Sequence, residues 1–232
     1  MARITTVGLD ADDTLWYNLR HYDAAERALF AMLEPLVATD VAATRLEAVS
    51  ARNIAIYGYG AKSFTLSMIE TATELCGDAL PSSAIRDILA AGRDLLRHPV
   101  ELLPGVEATL DALADRARLV LVTKGDLLHQ ETKLAASGLG ERFSGVEIVS
   151  EKTTDALRRL FMRYGVAPER CAMAGDSVRS DVLPALEAGA WAAFVPHEIV
   201  WFHERADAPT DHPRFRRLDS LTELPGWIDA IG

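Results

Sequence analysis

The chain has 232 residues, a formal net charge of −10, and 49% hydrophobic against 25% charged residues, as in ordinary globular proteins. This length suits one large domain or a domain with an insertion. The acidic balance argues against general binding to nucleic acid or to anionic membranes, since both favour a basic patch. An anionic small-molecule substrate stays possible if a metal ion and a few lysines reverse the potential locally.

Cysteine content and hydropathy bear on the compartment. The two cysteines, Cys76 and Cys171, lack metal-site spacing and suggest a reduced, intracellular protein. The N-terminal apolar run is interrupted by carboxylates and does not have the shape of a signal peptide. No apolar stretch approaches the roughly 20 residues needed to cross a bilayer. We therefore expect a cytoplasmic protein without membrane attachment, and the sequence leaves its oligomeric state open.

A buried strand and a helical block are the first elements predicted along the chain. The apolar, β-branched run 4–9 is typical of a buried strand, and the segment Asp10-Ala11-Asp12-Asp13-Thr14 follows it directly. Residues 17–100 then read as about four helices, because apolar residues recur at i, i+3 and i+4. Breaks fall at the glycine-rich segment 57–60 and at 78–83.

The pattern changes after Leu102, where short apolar strands alternate with helices. Strands are predicted at 119–122, 146–149, 171–174 and 191–195, and helices near 106–116, 127–137, 153–164 and 181–188. Such alternation is typical of a parallel sheet covered by helices on both faces. The predicted fold class is therefore α/β. A Rossmann-like core of residues 1–16 and 101–232 would carry an inserted α-helical cap at residues 17–100.

The acidic segment after the first strand is the first candidate site. Three carboxylates straight after a buried strand are costly unless something cationic meets them. In an extended chain, residues two apart point the same way, so Asp10 and Asp12 can converge while Asp13 faces away. An acidic turn that caps a helix would explain one of these residues well and three poorly. The segment therefore favours a metal ion beside a reacting group.

Four further candidates follow the other predicted strands. They are Thr123, Lys152, Asp176 and Asp181. Ligands of parallel α/β sheets bind at the carboxyl ends of the strands, so these residues would share one edge with Asp10 and Asp12. Alternatives stay open for three of them: a β-branched strand end for Thr123, a surface lysine for Lys152, and a helix N-cap for Asp181. Together they suit a hard cation such as Mg²⁺, which prefers oxygen ligands.

These residues carry a resemblance to a known family. In identity, order and approximate spacing, the segment 10–14, Thr123, Lys152 and Gly175-Asp176 with Asp181 resemble the four motifs of the haloacid dehalogenase-like hydrolase superfamily. The resemblance covers nearly the whole chain and points to the phosphatase branch with a helical cap. It implies that Thr123 and Lys152 hold a phosphoryl group, and that Asp181 supports the metal site.

The same resemblance implies the chemistry. Asp10 would be the nucleophile, Asp12 the general acid/base, and Asp176 would ligate Mg²⁺ together with Asp10 and the backbone carbonyl of Asp12. A carboxylate can form an acyl phosphate when the phosphate charge is neutralised, and Asp12 would protonate the leaving alkoxide and then activate water. Close to several other carboxylates, Asp12 is expected to have a raised pKa.

The expected activity is Mg²⁺-dependent hydrolysis of a small metabolite phosphate through an aspartyl phosphate. The alternatives are a phosphomutase of the same fold, a haloacid dehalogenase, and a non-catalytic binding protein. The true dehalogenases of the family lack an aspartate at the position of Asp12, because a halide needs no proton. The presence of Asp12 therefore favours phosphate esters.

Substrate choice is expected to lie with side chains of the cap. The candidates are Trp16 and Asn18, after the first motif, and Tyr57, Tyr59 and Lys62 in the glycine-rich loop. Aromatic residues in such a loop can stack on a ring or line a sugar pocket. An ordinary helix–helix turn with two packing tyrosines explains the loop equally well.

Two further features of the sequence bear on the candidate site. Lys124 would either add positive charge near the phosphate or point to solvent. The C-terminal region is crowded with His197, His203, His212 and Trp201, whose spacing fits no standard zinc motif. We expect these to be surface or supporting residues, with the alternative that the 196–205 loop borders the site.

Overall fold

The computed structural model describes residues 3–232. Contacts between residues divide the chain into two compact units. The first, here the α/β unit, comprises residues 3–17, Val100–Lys124 and Gln130–Gly232. The second, the helical unit, comprises Asn18–Pro99 and Gly125–His129. The sequence placed Tyr17 and Val100 with the helices and residues 125–129 with the core, whereas the contacts group them the other way round.

A six-stranded parallel sheet forms the centre of the α/β unit. Its strands are β1 (Thr6–Leu9), β2 (Arg118–Lys124), β3 (Gly145–Val149), β4 (Cys171–Gly175), β5 (Trp191–Phe194) and β6 (Phe215–Arg217). Their spatial order is β3-β2-β1-β4-β5-β6. The predicted α/β fold is thereby confirmed. The sequence did not predict β6, because only three half-buried or exposed residues form it and they show no apolar run.

The helical unit contains four helices, as the sequence predicts. They are α1 (Leu19–Leu33), α2 (Thr39–Tyr57), α3 (Ala61–Cys76) and α4 (Ser82–Arg97). Their apolar stripes meet in one cluster, which includes Leu29, Leu46, Met68 and Ile88. Each stripe recurs at helical spacing, so the helices bury one face and leave the other to solvent. None of the helices in the described range 3–232 is both long and apolar enough to cross a membrane.

Five helices complete the α/β unit and its connection to residues 125–129. They are α5 (Val106–Ala114), α6 (Leu127–Ser137), α7 (Thr154–Arg163), α8 (Leu183–Glu187) and α9 (Leu224–Ile231). Strand β2 shows how both sheet faces are covered. Leu119 and Leu121 join a cluster with α5 and α9, whereas Val120 and Val122 join a second cluster with α7 and α8. Successive strand residues point to opposite faces, so a continuous apolar run marks a strand buried on both sides.

The helix predicted at 181–188 differs from the structure at its start. Val178–Val182 form a π-helical turn before α8 begins at Leu183. The side chain of Ser177 caps this turn by accepting a hydrogen bond from the Ser180 amide. The alternative that Asp181 is the N-cap is therefore wrong, because Asp181 lies inside the turn. Turns of this kind often occur at functional sites.

Candidate active site

Strands β1, β2 and β4 are adjacent in the sheet and end at the same edge. This edge brings the candidate residues together. Leu9 at the end of β1 pairs with Leu121 of β2 on one side and with Ala174 of β4 on the other. Asp10 is the next residue after β1, and its amide donates to the Ala174 carbonyl at 2.9 Å. The parallel arrangement therefore places the residues that follow β1, β2 and β4 beside one another.

A buried lysine joins two of the predicted carboxylates. Lys152 Nζ donates to Asp10 Oδ1 and, at 2.6 Å, to Asp181 Oδ1. All three residues are at most 6% exposed. Burial raises the pKa of Asp10 to about 7, with Lys152 opposing the shift and Asp181 adding to it. Burial disfavours the ammonium of Lys152, but the two carboxylates outweigh it and raise the pKa of Lys152.

Asp176 is tied to Asp10 through a hydroxyl group that the sequence analysis did not single out. Thr14 Oγ1 donates to Asp10 Oδ2 at 3.1 Å and accepts from the Asp176 amide at 3.0 Å. Gly175 permits this close approach, because a Cβ there would lie 2.1 Å from Asp181 Oδ2 and 2.9 Å from the Cβ of Asp10. The glycine of the fourth motif is thus required by packing.

The carboxylates form a group that suits a hard divalent cation. One ligand oxygen from each of Asp10, Asp176 and Asp181 lies within 4.8 Å of the others. Burial and the neighbouring carboxylates raise the pKa of Asp176 well above its usual value. Within residues 3–232, Lys152 pairs with Asp10 and Asp181, and no cationic side chain lies within ion-pair distance of Asp176. An all-oxygen donor set with one uncompensated carboxylate fits Mg²⁺.

Asp12 has different neighbours from Asp10. Its Oδ1 accepts from Trp16 Nε1 at 2.7 Å and from Lys133 Nζ at 2.5 Å, and its Oδ2 accepts from Gln130 Nε2 at 3.1 Å. Burial would raise the pKa of Asp12, but the charge of Lys133 and these three donors lower it below its usual value. The expectation of a raised pKa is therefore wrong, because the cation beside Asp12 was missed.

The turn after β1 brings Trp16 back onto Asp12. The Asp13 amide donates to the Trp16 carbonyl at 2.7 Å, and the Leu15 amide donates to the Ala11 carbonyl at 2.8 Å. Asp13 adopts a left-handed backbone conformation with φ of 61°, which this tight return requires. Trp16 is 1% exposed and belongs to the core, so the structure gives it a contact with Asp12 rather than the predicted contact with substrate.

Gln130 connects Thr123, the phosphate-binding candidate near the end of β2, to Asp12. Gln130 Nε2 lies 2.7 Å from Thr123 Oγ1 and 2.6 Å from the Lys124 carbonyl oxygen, in addition to its bond to Asp12. Thr123 and Gln130 are both almost fully buried. Gln130 Oε1 is buried without a hydrogen-bond partner among the residues described. The amide nitrogen therefore links the ends of β1 and β2.

The side chain of Lys124 is 12% exposed, so the prediction that it points to solvent is wrong, whereas a contribution of positive charge near the phosphate stays a prediction. Lys124 Nζ donates to Glu204 Oε1 at 2.5 Å and to Ser180 Oγ at 2.7 Å. The hydroxyl groups of Ser177 and Ser180 both donate to Glu204 Oε2. The 196–205 loop therefore contacts the turn that follows β4, and the alternative that it borders the site stays a prediction. Burial would raise the pKa of Glu204, but Lys124 and the two serines lower it to about 2.

Replacing Glu204 by glutamine is expected to remove a pH-dependent contribution to stability. The folded-state pKa of about 2 lies below the ordinary value of 4.5, so ionised Glu204 stabilises the fold fully above about pH 4.5. This contribution, roughly 2 to 3 kcal/mol at neutral pH, is lost as the pH falls towards 2. Denaturant unfolding of both proteins should show a difference that shrinks between neutral pH and about pH 3.

The control for this experiment is Glu198→Gln, since Glu198 is exposed in the same loop. Its free energy of unfolding should stay within about 0.5 kcal/mol of the unaltered protein at both pH values. A difference for Glu204→Gln that is constant over this pH range would contradict the assignment of an ionised, paired Glu204.

The remaining specificity candidates belong to the helical unit. Asn18 precedes α1 and is 7% exposed, Tyr57 ends α2 and is 49% exposed, and Tyr59 lies in the turn before α3. Lys62 Nζ pairs with Asp126 Oδ2 at 2.8 Å within this unit. The turn needs the glycines on both sides of Tyr59. Gly58 and Gly60 have φ angles of 76° and 112°, in the region that favours glycine. A substrate-binding role for these four residues stays a prediction.

The C-terminal histidines have local partners. His197 Nε2 lies 3.7 Å from Asp13 Oδ1, and its ring packs edge-on against Tyr17. His203 packs against Trp201. His212 Nδ1 accepts from the backbone amide at 214. His197 therefore supports the turn after β1, in keeping with the supporting role expected for this region.

Lysine usage was the signal that could have identified the missed residues. The chain contains only four lysines, Lys62, Lys124, Lys133 and Lys152, beside a large number of arginines. The side chains of the last three are 12%, 4% and 2% exposed, and each is paired with a carboxylate. Each of these lysines offers a compact ammonium with three donors, whereas an arginine would offer a planar fork. Buried lysine is otherwise rare, so the small number of lysines in a chain rich in arginine was the signal for a paired, buried role.

The comparisons with known proteins agree with this geometry. A family model described as haloacid dehalogenase-like hydrolase matches residues 4–189. Human N-acylneuraminate-9-phosphatase is 28% identical over 144 residues, which cover 59% of this chain and 55% of that protein. Phosphoserine phosphatase from Thermus thermophilus is 35% identical over 130 residues, covering 53% of this chain and 49% of that protein. The chain thus spans about half the length of these curated relatives.

A solved structure matches the whole chain. A haloacid dehalogenase-like family hydrolase from Xanthomonas campestris is 38% identical, with a TM-score of 0.89, and the match covers 100% of this chain and 95% of that one. The family model, this neighbour and the grouping of Asp10, Lys152 and Asp176 at one sheet edge lead to one conclusion. The chain belongs to the haloacid dehalogenase-like hydrolase family.

Proposed function

We propose that the protein is a Mg²⁺-dependent phosphomonoesterase that acts on a small phosphorylated metabolite through an aspartyl phosphate on Asp10. One observation carries the proposal. The carboxylate of Asp10 is buried against Lys152 beside Asp176, whereas the carboxylate of Asp12, two residues on, is held by a separate set of donors. One carboxylate is thus placed for attack on phosphorus and the other for proton transfer.

In the first step, Asp10 attacks phosphorus and the bond from phosphorus to the ester oxygen breaks. Lys152 and Thr123 bind the phosphoryl oxygens, and Asp12 gives a proton to the departing oxygen. An incoming phosphate adds negative charge beside Asp12, which raises the pKa of this carboxyl from its low value in the free protein. Asp12 can therefore carry the proton only while substrate is bound.

In the second step, Asp12 takes a proton from water, and the water oxygen attacks the phosphorus of the aspartyl phosphate. The bond between Asp10 and phosphorus breaks, inorganic phosphate leaves, and the Asp10 carboxylate is restored. The free-protein environment of Asp12 favours its ionised form, which is the form that acts as a base here. Asp10 and Asp176, with the backbone carbonyl of Asp12, would hold Mg²⁺, with Asp181 supporting them. When bound, the cation neutralises phosphate charge.

The relatives support the choice of reaction. Two curated relatives are named as phosphatases, and Asp12 supplies the proton that an ester oxygen needs and a halide does not. Because the chain spans about half of those proteins, their substrates are not carried over to it. A phosphate-release assay over a panel of sugar phosphates, phosphorylated amino acids and nucleotides, with Mg²⁺, tests the proposal. Release from at least one class is expected, and an isomerised product without free phosphate would overturn it.

Removal of divalent metal is expected to abolish this phosphate release. A chelator should lower activity by at least about 100-fold, since Lys152 alone does not compensate Asp10, Asp176 and a phosphate dianion together. Added Mg²⁺ should restore activity in the unaltered protein. In Asp176→Asn, restoration should need a far higher Mg²⁺ concentration, whereas the exposed control Asp155→Asn should respond normally. Full activity in the presence of chelator would contradict the metal assignment.

A further inference from the structure

In the part of the chain that the structure describes, the donors around Asp12 leave an acceptor position on one of its two oxygens. A carboxylate oxygen has two acceptor positions, and Oδ1 of Asp12 uses both, for Trp16 Nε1 and Lys133 Nζ. Within residues 3–232, Oδ2 accepts from Gln130 Nε2 alone and retains one acceptor position. The side chain of Asp12 is 24% exposed, so this remaining position is compatible with access to a small molecule.

Two of the three donors are presented by one helix. Gln130 and Lys133 are three residues apart on α6, so their side chains lie on the same helix face. Both residues are 4% exposed, so their side chains are surrounded by protein and not by solvent. Burying an ammonium is costly unless a carboxylate is paired with it, and Asp12 supplies such a carboxylate to Lys133. The third donor, Trp16, is fixed in the core by the turn after β1.

We propose that Trp16, Gln130 and Lys133 act as positioning residues that orient Asp12, so that its Oδ2 is the atom exchanging the proton with the leaving oxygen. Lys133 is the principal member, because it supplies the charge that holds Oδ1 away from the reaction. This inference rests on the proposed phosphatase function. Beyond that function, it identifies Oδ2 of Asp12 as the atom that carries the proton, and it names the residues that orient this atom.

A leaving-group comparison separates positioning of Asp12 from general structural support. A simple alkyl phosphate needs protonation of its leaving oxygen, whereas p-nitrophenyl phosphate releases a stable phenolate without it. Loss of Asp12 orientation should therefore slow the alkyl ester far more. A merely structural defect should slow both substrates by the same factor, because it acts before the chemical step.

Lys133→Met should lower kcat for the alkyl ester by about 100-fold and for p-nitrophenyl phosphate by less than about tenfold, with KM changed by less than about threefold. Lys133→Arg should recover part of the loss. When Asp12→Asn is already present, Lys133→Met should lower kcat little further, because the effects of substitutions in residues that act as a unit are not additive. Arg158→Met, at an exposed ion pair on α7, is the matched control and should match the unaltered protein.

Trp16→Phe provides a second route if Lys133→Met fails to fold. It keeps the ring in the core and removes only the hydrogen bond to Asp12 Oδ1, so a smaller loss with the same leaving-group dependence is expected. Equal losses on both esters, or additive losses with Asp12→Asn, would overturn the positioning role while the phosphatase function stands. If the unaltered protein hydrolyses neither ester nor any member of the metabolite panel, the proposed function fails and this inference fails with it.

Discussion

Asp10→Asn should lower kcat for phosphate release by roughly 10⁴-fold or more, because the amide cannot form the aspartyl phosphate. Asparagine keeps the shape of the side chain, and Lys152 retains its second carboxylate partner, Asp181. Burial already disfavours the charged form of Asp10, so removal of this charge should not destabilise the fold. Steady-state release of inorganic phosphate with saturating Mg²⁺ is the measurement.

The control for Asp10→Asn is Asp155→Asn, an exposed aspartate on α7 that should retain full activity. Thermal unfolding of the Asp10 variant should stay within a few degrees of the unaltered protein, which separates chemistry from folding. Phosphatase activity that survives Asp10→Asn at a normal level would refute the nucleophile assignment. Loss of activity together with a large drop in the unfolding temperature would refute the claim that the Asp10 charge is dispensable for folding.

Asp12→Asn should separate the two chemical steps. With p-nitrophenyl phosphate, the first step needs no proton from Asp12, so one equivalent of nitrophenolate should appear in a rapid burst. The second step then lacks its base, and steady-state turnover should fall by roughly 10² to 10⁴-fold. The aspartyl phosphate should therefore accumulate on Asp10, since its hydrolysis becomes the slowest step.

Intact-protein mass spectrometry after rapid acid quench measures this accumulation. The Asp12 variant should carry the added mass of one phosphoryl group, and the double variant with Asp10→Asn should carry none. The single variant Asp10→Asn is the matched control, because it keeps Asp12 and removes the acceptor. A burst that persists in the double variant would place the phosphoryl group elsewhere, and an Asp12 variant with unchanged turnover would exclude Asp12 from proton transfer.

Local sequence was sufficient to predict the strands and their order along the chain. β1, β2 and β4 are buried on both faces, so each appears in the sequence as a short, largely continuous apolar run. Strands that alternate with helices are parallel, and parallel strands bring their carboxyl ends to one edge. The grouping of Asp10, Lys152 and Asp176 follows from that topology, and the structure confirms that they converge.

The sequence missed structure where a segment is short or irregular. Strand β6 is three residues long and partly exposed, so it has no apolar run to reveal it. The π-helical turn at Val178–Val182 departs from the regular helical period, and its cap is Ser177 rather than Asp181. Such features depend on how the chain packs after β4, which a local pattern does not record.

The neighbours of Asp12 were decided by tertiary structure alone. The carboxylates near Asp12 in the sequence led to the prediction of a raised pKa for Asp12. In the structure, Lys133, 121 residues further on, lowers that pKa. Lys124 likewise pairs with Glu204, 80 residues away, rather than pointing to solvent. Composition and periodicity show that a residue will be buried. They do not show which opposite charge it meets, because that pairing is made by side chains from distant elements once the sheet has formed.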